Sequence, residues 1–214
     1  MSRFGRLFEK FRPARAAESP TALIDARWVV AGLGNPGEQY RRGRHNLGFM
    51  VADRLAARAG VELNRRKFNG LYTEIRLEGT TAIVVKPQTF YNRSGECVAA
   101  LLRYFKVPAE RLIVVHDEMD LPVGQIRIKR GGSDAGNRGV RSVAEALDDP
   151  NFIRVRVGVG HPEGGGDSIN YLLRPLNATE MSEFEPVFDR AADAVVATIR
   201  DGLERAMNLH NRRA

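Results

Sequence analysis

Trp28-Val29-Val30-Ala31-Gly32-Leu33-Gly34-Asn35-Pro36-Gly37 is the stretch that decides the fold. Trp28–Leu33 is a short apolar run ending among glycines, the pattern of a strand buried on both faces. Gly32, Gly34 and Gly37 also match G-x-G-x-x-G, the spacing of a dinucleotide-binding loop. That role needs a helix opening directly on the loop and an acid at the end of a second strand. Here Glu38 to His45 is polar and basic and contains Gly43, while Asp53 falls within the next helix. A nucleotide-dependent oxidoreductase is therefore disfavoured, and a tight turn using glycine at positive φ is the simpler assignment.

Outward from this strand the chain alternates strands and helices. Leu47, Met50, Val51 and Leu55 mark a helix ending near Gly60. Tyr72–Leu77 and Thr81–Lys86 form two strands joined by a turn at Glu78-Gly79. Ser94 is positioned to cap a helix through Lys106, which Pro108 stops. Leu112–Val115 is a second fully apolar strand, and Gln125–Lys129 alternates with Ile126 and Ile128 on one face. A helix over Arg138–Leu147 and an alternating strand over Ile153–Val159 follow. Ala178–Asn211 is helical, broken near Asp201-Gly202. The order predicts a single α/β domain: a mixed, mostly parallel twisted sheet with helices on both faces. Sites in such sheets gather at the carboxyl ends of strands. Asn35 follows the first strand, Asn92 the third, and Asp117 the strand at 112.

The 214 residues carry 33 Lys and Arg against 26 Asp and Glu, a net charge of +7. Residues 41–76 hold +6 and residues 124–141 hold +4, leaving −3 elsewhere. Such concentration suits a phosphate-backbone ligand, although solvated basic helix faces produce it too. No apolar run reaches the ~18 residues of a membrane span. The single cysteine, Cys97, excludes an internal disulfide framework, a CxxC redox pair and a multi-cysteine zinc site, and suits a reducing, cytoplasmic setting. Phe4, Leu7, Phe8 and Phe11 recur at helical spacing among Arg3, Arg6, Lys10 and Arg12. Residues 1–25 thus read as a basic amphipathic extension with a Pro/Ala/Ser linker, and residues 26–214 as the single α/β domain. A poorly ordered appendage is the favoured assignment of the extension, ahead of contact with a membrane surface or a partner.

Chemistry concentrates in a few polar clusters. His45, near Asn35, Tyr40 and Asn46, is a candidate general base, because imidazole exchanges a proton near neutral pH. A lone loop histidine is more often structural, so an orienting carboxylate is needed. In His116-Asp117-Glu118, neighbours on a strand point to opposite faces. If Asp117 faces the site His116 faces away, and His45–Asp117 is the better pair, with Asp117 fixing the tautomer. G-x-S-x-G is absent, so the implied chemistry is attack by a base-activated water. The histidines at 45, 116, 161 and 210 show no metal-ligand spacing, and no metal or other cofactor is expected. Asn92, in Pro87-Gln88-Thr89-Phe90-Tyr91-Asn92-Arg93-Ser94-Gly95, either donates to a developing oxyanion or only caps the following helix with Ser94.

Five ordered blocks resemble the bacterial-type peptidyl-tRNA hydrolases. They are Val29 to Gly37 with Tyr40, Arg44-His45-Asn46, Lys86-Pro87-Gln88-Thr89-Phe90 with Asn92 and Ser94-Gly95, His116 to Pro122, and Phe152 to Pro162. The resemblance covers about Trp28 to Asn211. It implies an α/β monomer that cleaves the ester between a peptide and the 3′ ribose of tRNA. It further implies His45 as base, Asp117 as its partner, Asn35 and Asn92 as positioning or oxyanion-stabilising groups, and Tyr40 lining the site. Peptidyl-tRNA as partner would account for the basic segments, with Arg127, Lys129, Arg130, Arg141 and Arg156 as phosphate contacts. Two departures stand out. Tyr91 replaces the methionine common in the family, which alters the wall of the peptide or adenosine pocket. Ala135-Gly136-Asn137-Arg138-Gly139-Val140 replaces Gly-His-Asn-Gly-Leu, putting Asn137 in the histidine position and Arg138 in the asparagine position. Either Asn137 supplies the amide from one residue away, or Arg138 grips a 3′-end phosphate. An RNA-binding relative with weakened catalysis is the alternative that this loop would allow.

Overall fold

The computed structural model describes residues 27–77 and 79–211. The basic extension read over residues 1–25, and Glu78 of the expected turn, lie outside the described residues. Seven strands, β1 (Trp28–Gly32), β2 (Arg65–Lys67), β3 (Gly70–Leu77), β4 (Thr80–Pro87), β5 (Leu112–Glu118), β6 (Ile126–Arg130) and β7 (Ile153–Gly158), form one sheet of order β2-β3-β4-β1-β5-β7-β6. The central β4-β1-β5-β7 block is parallel. Antiparallel pairs extend it at both edges. The short β2 has no apolar alternation to announce it; it is held by main-chain pairing to β3 at the sheet edge. Asn92 consequently follows the fourth strand instead of the third.

The helices are α1 (Leu47–Arg58), α2 (Ser94–Phe105), α3 (Arg138–Leu147), α4 (Ser168–Leu173), α5 (Ala178–Asp201) and α6 (Leu203–His210). Strand alternation sends Val30, Val84, Ile113 and Val155 to one face, where they meet Leu47 and Val51 of α1 and Phe184 and Val195 of α5. Val29, Ile83, Val114 and Phe152 point the other way, against Leu101 of α2 and Val143 of α3. Every residue of β5 is buried, because both its faces are covered. Asp117 therefore sits at the end of a fully buried strand.

Two local expectations change. Ser94 does not cap α2: it is the first helical residue, and its Oγ donates to the Tyr91 carbonyl at 2.9 Å. The N-cap residue, Arg93, makes no side-chain cap; Ser142 of α3 accepts from the Gly95 N–H at 3.0 Å instead, so Asn92 is not the cap either. The glycine loop is also not built on positive φ throughout; of its three glycines only Gly37 has it, at 113°. Gly32 serves contact instead. A Cβ there would lie 2.1 Å from the Gly48 carbonyl oxygen, and one on Gly48 would lie 2.4 Å from the Val115 oxygen. Backbone touches backbone where α1 begins, and the Leu33 N–H donates to the Val115 carbonyl at 2.9 Å. The ends of β1 and β5 and the start of α1 are thereby pinned together, and the polar residues just beyond them converge.

Candidate active site

His45 lies in the 3-10 turn Arg44–Asn46 that leads into α1. Its neighbours hold that turn from both sides. Buried Arg44 lies under the Tyr171 ring, 4.1 Å from its centroid, and donates to Glu180 of α5. Burial opposes ionisation of Glu180, yet Arg174, the Asn177 N–H and Arg44 outweigh it and hold the carboxyl at about 2. On the other side, Asn46 exchanges two hydrogen bonds with the Asn35 backbone, both 2.9 Å. His45 is thus placed by a part-buried ion pair and an amide bridge.

His45 Nδ1 meets Asp117 Oδ1 at 2.9 Å, as strand alternation predicted, and Asp117 is 3% exposed. The carboxylate accepts, so Nδ1 carries the proton and Nε2 is left as the basic nitrogen. Burial works against the Asp117 charge, but His45 and the Tyr91 hydroxyl outweigh it and hold the carboxyl below its usual range. His116 faces away; its Nδ1 donates to the Asp117 carbonyl at 2.7 Å, and burial lowers its proton affinity.

His45 and Asp117 share a cavity of about 540 Å³ with Asn35, Tyr91, Asn92, Asn137 and Arg138, and with Ile169 and Leu172 of α4. Asn35 Oδ1 accepts from the Tyr91 N–H at 2.9 Å, which fixes the amide orientation and leaves the Asn35 nitrogen as a donor. Asn92 is exposed on the wall, and its side chain makes no hydrogen bond to the described residues. Arg138 is exposed at the first turn of α3 and has no ion-pair partner among the described residues. Asn137 caps α3 by accepting from the Val140 N–H at 3.0 Å, while its Nδ2 donates to the Tyr91 hydroxyl at 3.0 Å. Tyr40 closes the turn Glu38–Tyr40 and is not on the cavity wall. The α4 wall escaped sequence reading; its signal was Asp167, which caps a short helix ending in Leu172-Leu173.

The basic segments part company in three dimensions. Most basic residues of 41–76 are paired with carboxylates. Arg54 binds Glu185 and Asp189, Arg58 binds Asp189 and Asp193, and Arg65 binds Glu74. The second segment keeps more of its charge. Register places Arg127 beside Arg156 and Lys129 beside Arg154 across β6 and β7. Burial, with Arg156 and Arg154 nearby, makes the Lys129 ammonium easier to deprotonate than usual. Of the expected phosphate contacts, Arg127 and Lys129 have no ion-pair partner among the described residues, Arg156 is held by Glu118, and Arg141 by Asp134. Alternation along β6 puts Arg130 on the opposite face from Arg127 and Lys129. No helix among the described residues is long and apolar enough to cross a membrane.

Comparison with known proteins agrees with this geometry. The family model described as peptidyl-tRNA hydrolase matches residues 29–214. A peptidyl-tRNA hydrolase of Frankia casuarinae is 46% identical over 191 residues, covering 89% of this chain and 97% of its own. One of Nocardia farcinica is 46% identical over 181 residues, covering 84% and 94%. The crystal structure of the Acinetobacter baumannii peptidyl-tRNA hydrolase superposes with a TM-score of 0.80 at 32% identity, over 87% of this chain and 95% of that one. With the match running through both halves of the sheet and every strand end that carries a polar site residue, the chain belongs to the peptidyl-tRNA hydrolase family.

Proposed function

We propose that this chain hydrolyses the ester joining a peptide to the 3′ ribose of tRNA, with water activated by His45. The carrying observation is the His45–Asp117 pair, assembled from segments 72 residues apart on the wall of an open cavity. His45 Nε2 takes a proton from water as the hydroxide oxygen bonds to the ester carbonyl carbon. Asp117 holds the imidazolium that forms. Asn92 and the free amide of Asn35 are the donors available to the tetrahedral oxyanion. Collapse breaks the bond to the ribose 3′ oxygen, which takes the proton back from His45. The products are a peptide acid and tRNA with a free 3′ hydroxyl.

Arg127, Lys129 and Arg156 contact backbone phosphates of the acceptor end, and Arg138 sits where it meets the 3′ end. Support comes from the cationic face of β6 and β7, which like charges crowd and which few carboxylates neutralise. The dyad and both asparagines are intact beside the altered loop at residues 135–140, which favours turnover over RNA binding alone. Residues 26–214 act as one catalytic unit, with residues 1–25 an appendage. The site is complete within one chain, which suits a monomer, and a lone buried thiol at Cys97 suits the cytoplasm. The test is release of peptide from N-blocked aminoacyl-tRNA without added metal. His45→Ala is expected to abolish release, and retained turnover in that variant would remove His45 from its role.

A further inference from the structure

Tyr91 sits at the centre of the site, and water attack as described gives it nothing to do. Its ring stacks on the His45 imidazole, with centroids 3.5 Å apart and planes 17° from parallel. The Cδ1–Cε1 edge of the ring lies against Gly139, where a Cβ would fall 2.4 Å from Cε1. Its hydroxyl donates to Asp117 Oδ1 at 2.8 Å, the same oxygen that accepts from His45. Asn137 Nδ2 can only donate, and it reaches the Tyr91 hydroxyl oxygen at 3.0 Å. The hydroxyl proton is therefore committed to Asp117. The same Nδ2 also donates to the Asp117 backbone carbonyl at 3.3 Å and lies 3.3 Å from His116 Nδ1, and through the Tyr91 hydroxyl it opens a directed chain, Asn137 to Tyr91 to Asp117, that ends on the carboxylate holding the base.

We propose that Tyr91 is a positioning residue: its hydroxyl, aimed by Asn137, competes with His45 for Asp117 Oδ1 and so limits how tightly Asp117 holds the imidazolium. The physical reason is linkage. A hydrogen bond to a carboxylate is strongest when that charge is otherwise uncompensated. The Tyr91 bond is therefore stronger beside neutral imidazole than beside imidazolium, and it favours the neutral, proton-accepting form. The same chain connects the glycine-rich loop, through Asn137, to the dyad.

Other charges around His45 are accounted for. Glu118 is held by Arg156, Arg44 by Glu180, and His116 lies behind Asp117 on the opposite face of β5. Arg138 stands at the mouth, and α4 presents Ser168, Ile169, Leu172 and Leu173 to the cavity. Tyr91 is thus the titratable group, besides His45, that hydrogen-bonds directly to the Asp117 carboxylate.

The inference rests on His45 acting as the base, and the experiment separates the two. The His45 imidazole is titrated by NMR in the full chain as wild type, Tyr91→Phe, Asn137→Ser and the double variant. Phe keeps the ring and loses the hydroxyl, and Ser keeps an oxygen for the α3 cap and loses the amide donor. The Phe midpoint is expected to rise by about half to one pH unit, with the acidic limb of the kcat/KM profile moving alongside. Asn137→Ser is expected to give a smaller rise, and the double variant no more than Phe alone. A Phe midpoint that is unchanged or lower, or shifts that simply add, would overturn the proposal. A ring that only filled space would leave the midpoint where it was. Hydrolysis that survives His45→Ala would remove the base assignment while leaving the NMR shift standing.

Discussion

Asp117→Asn separates charge from geometry at this site. In many histidine–aspartate pairs such a change lets the amide flip and present its nitrogen to the imidazole, which imposes the wrong tautomer. Here two donors, His45 Nδ1–H and the Tyr91 hydroxyl, converge on Oδ1 at 2.9 and 2.8 Å. Both need an acceptor, so the introduced amide is held with its oxygen toward them. What is lost is the negative charge opposite the imidazolium of the transition state. His45 is 17% exposed and Asp117 3%, so an intermediate effective dielectric applies. Unit charges ~4 Å apart at an effective dielectric of about 20 interact by about 4 kcal/mol. That corresponds to a loss of about a thousandfold in kcat. The assay is single-turnover release of peptide from N-blocked aminoacyl-tRNA, with thermal unfolding followed alongside. Stability supplies a second sign. The Asp117 carboxyl is held below its usual range in the folded chain. Its contribution is therefore complete above the unfolded carboxyl value and is lost as pH falls through the lowered one. Wild type should lose stability relative to the Asn variant on acidification below about pH 4. A loss in kcat under tenfold in a normally folded variant would show that the charge of Asp117 does not stabilise the transition state.

Two further outcomes follow from the same geometry. Lys129→Ala and Arg138→Asn should each lower the salt dependence of peptidyl-tRNA binding by about one unit of slope, measured by titration from low to moderate salt; an unchanged slope in both would take the cationic face out of the binding site. Gly139→Ala places a methyl against the Tyr91 ring, 2.4 Å from its nearest atom, and should cost about 1–3 kcal/mol in denaturant unfolding. Turnover should fall more than tenfold as the ring that stacks on His45 is displaced, and a variant with wild-type stability and rate would mean that the ring relocates freely.

Much of the sheet was legible because its signals are local. Leu112–Val115 is continuously apolar, β5 is buried on both faces, and period-two alternation sufficed to reject His116 and choose Asp117. What escaped depends on contacts distant in sequence. Arg54 and Arg58 look like free cations until α5 brings Glu185, Asp189 and Asp193 across 131 to 135 residues. Tyr91 reads as a pocket-wall substitution, and only the 3-10 turn Tyr91–Arg93 swings its hydroxyl onto Asp117. The loop of Gly32, Gly34 and Gly37 reads as a turn at positive φ, which only Gly37 has, for a related reason. A motif records that side chains are missing, and a nucleotide phosphate or a helix backbone can each require that absence.

Those close approaches also explain why the site tolerates a changed loop. Gly32 and Gly48 lock the start of α1 to β1 and β5, so His45 and Asp117 meet through backbone packing that does not involve residues 131–139. Arg138 can therefore replace a neutral residue at the mouth without disturbing the dyad, whereas Asn137 cannot change so freely. It caps α3 with its oxygen and aims the Tyr91 hydroxyl with its nitrogen. The two departures from the family pattern then have different physical weights. Arg138 adds an exposed cation at the mouth of the cavity, where screening by salt limits its effect. Tyr91 and Asn137 act inside a buried network, where each hydrogen bond bears on the protonation of a neighbour. Catalytic differences from relatives should therefore trace to Tyr91 and Asn137, and differences in tRNA affinity to Arg138.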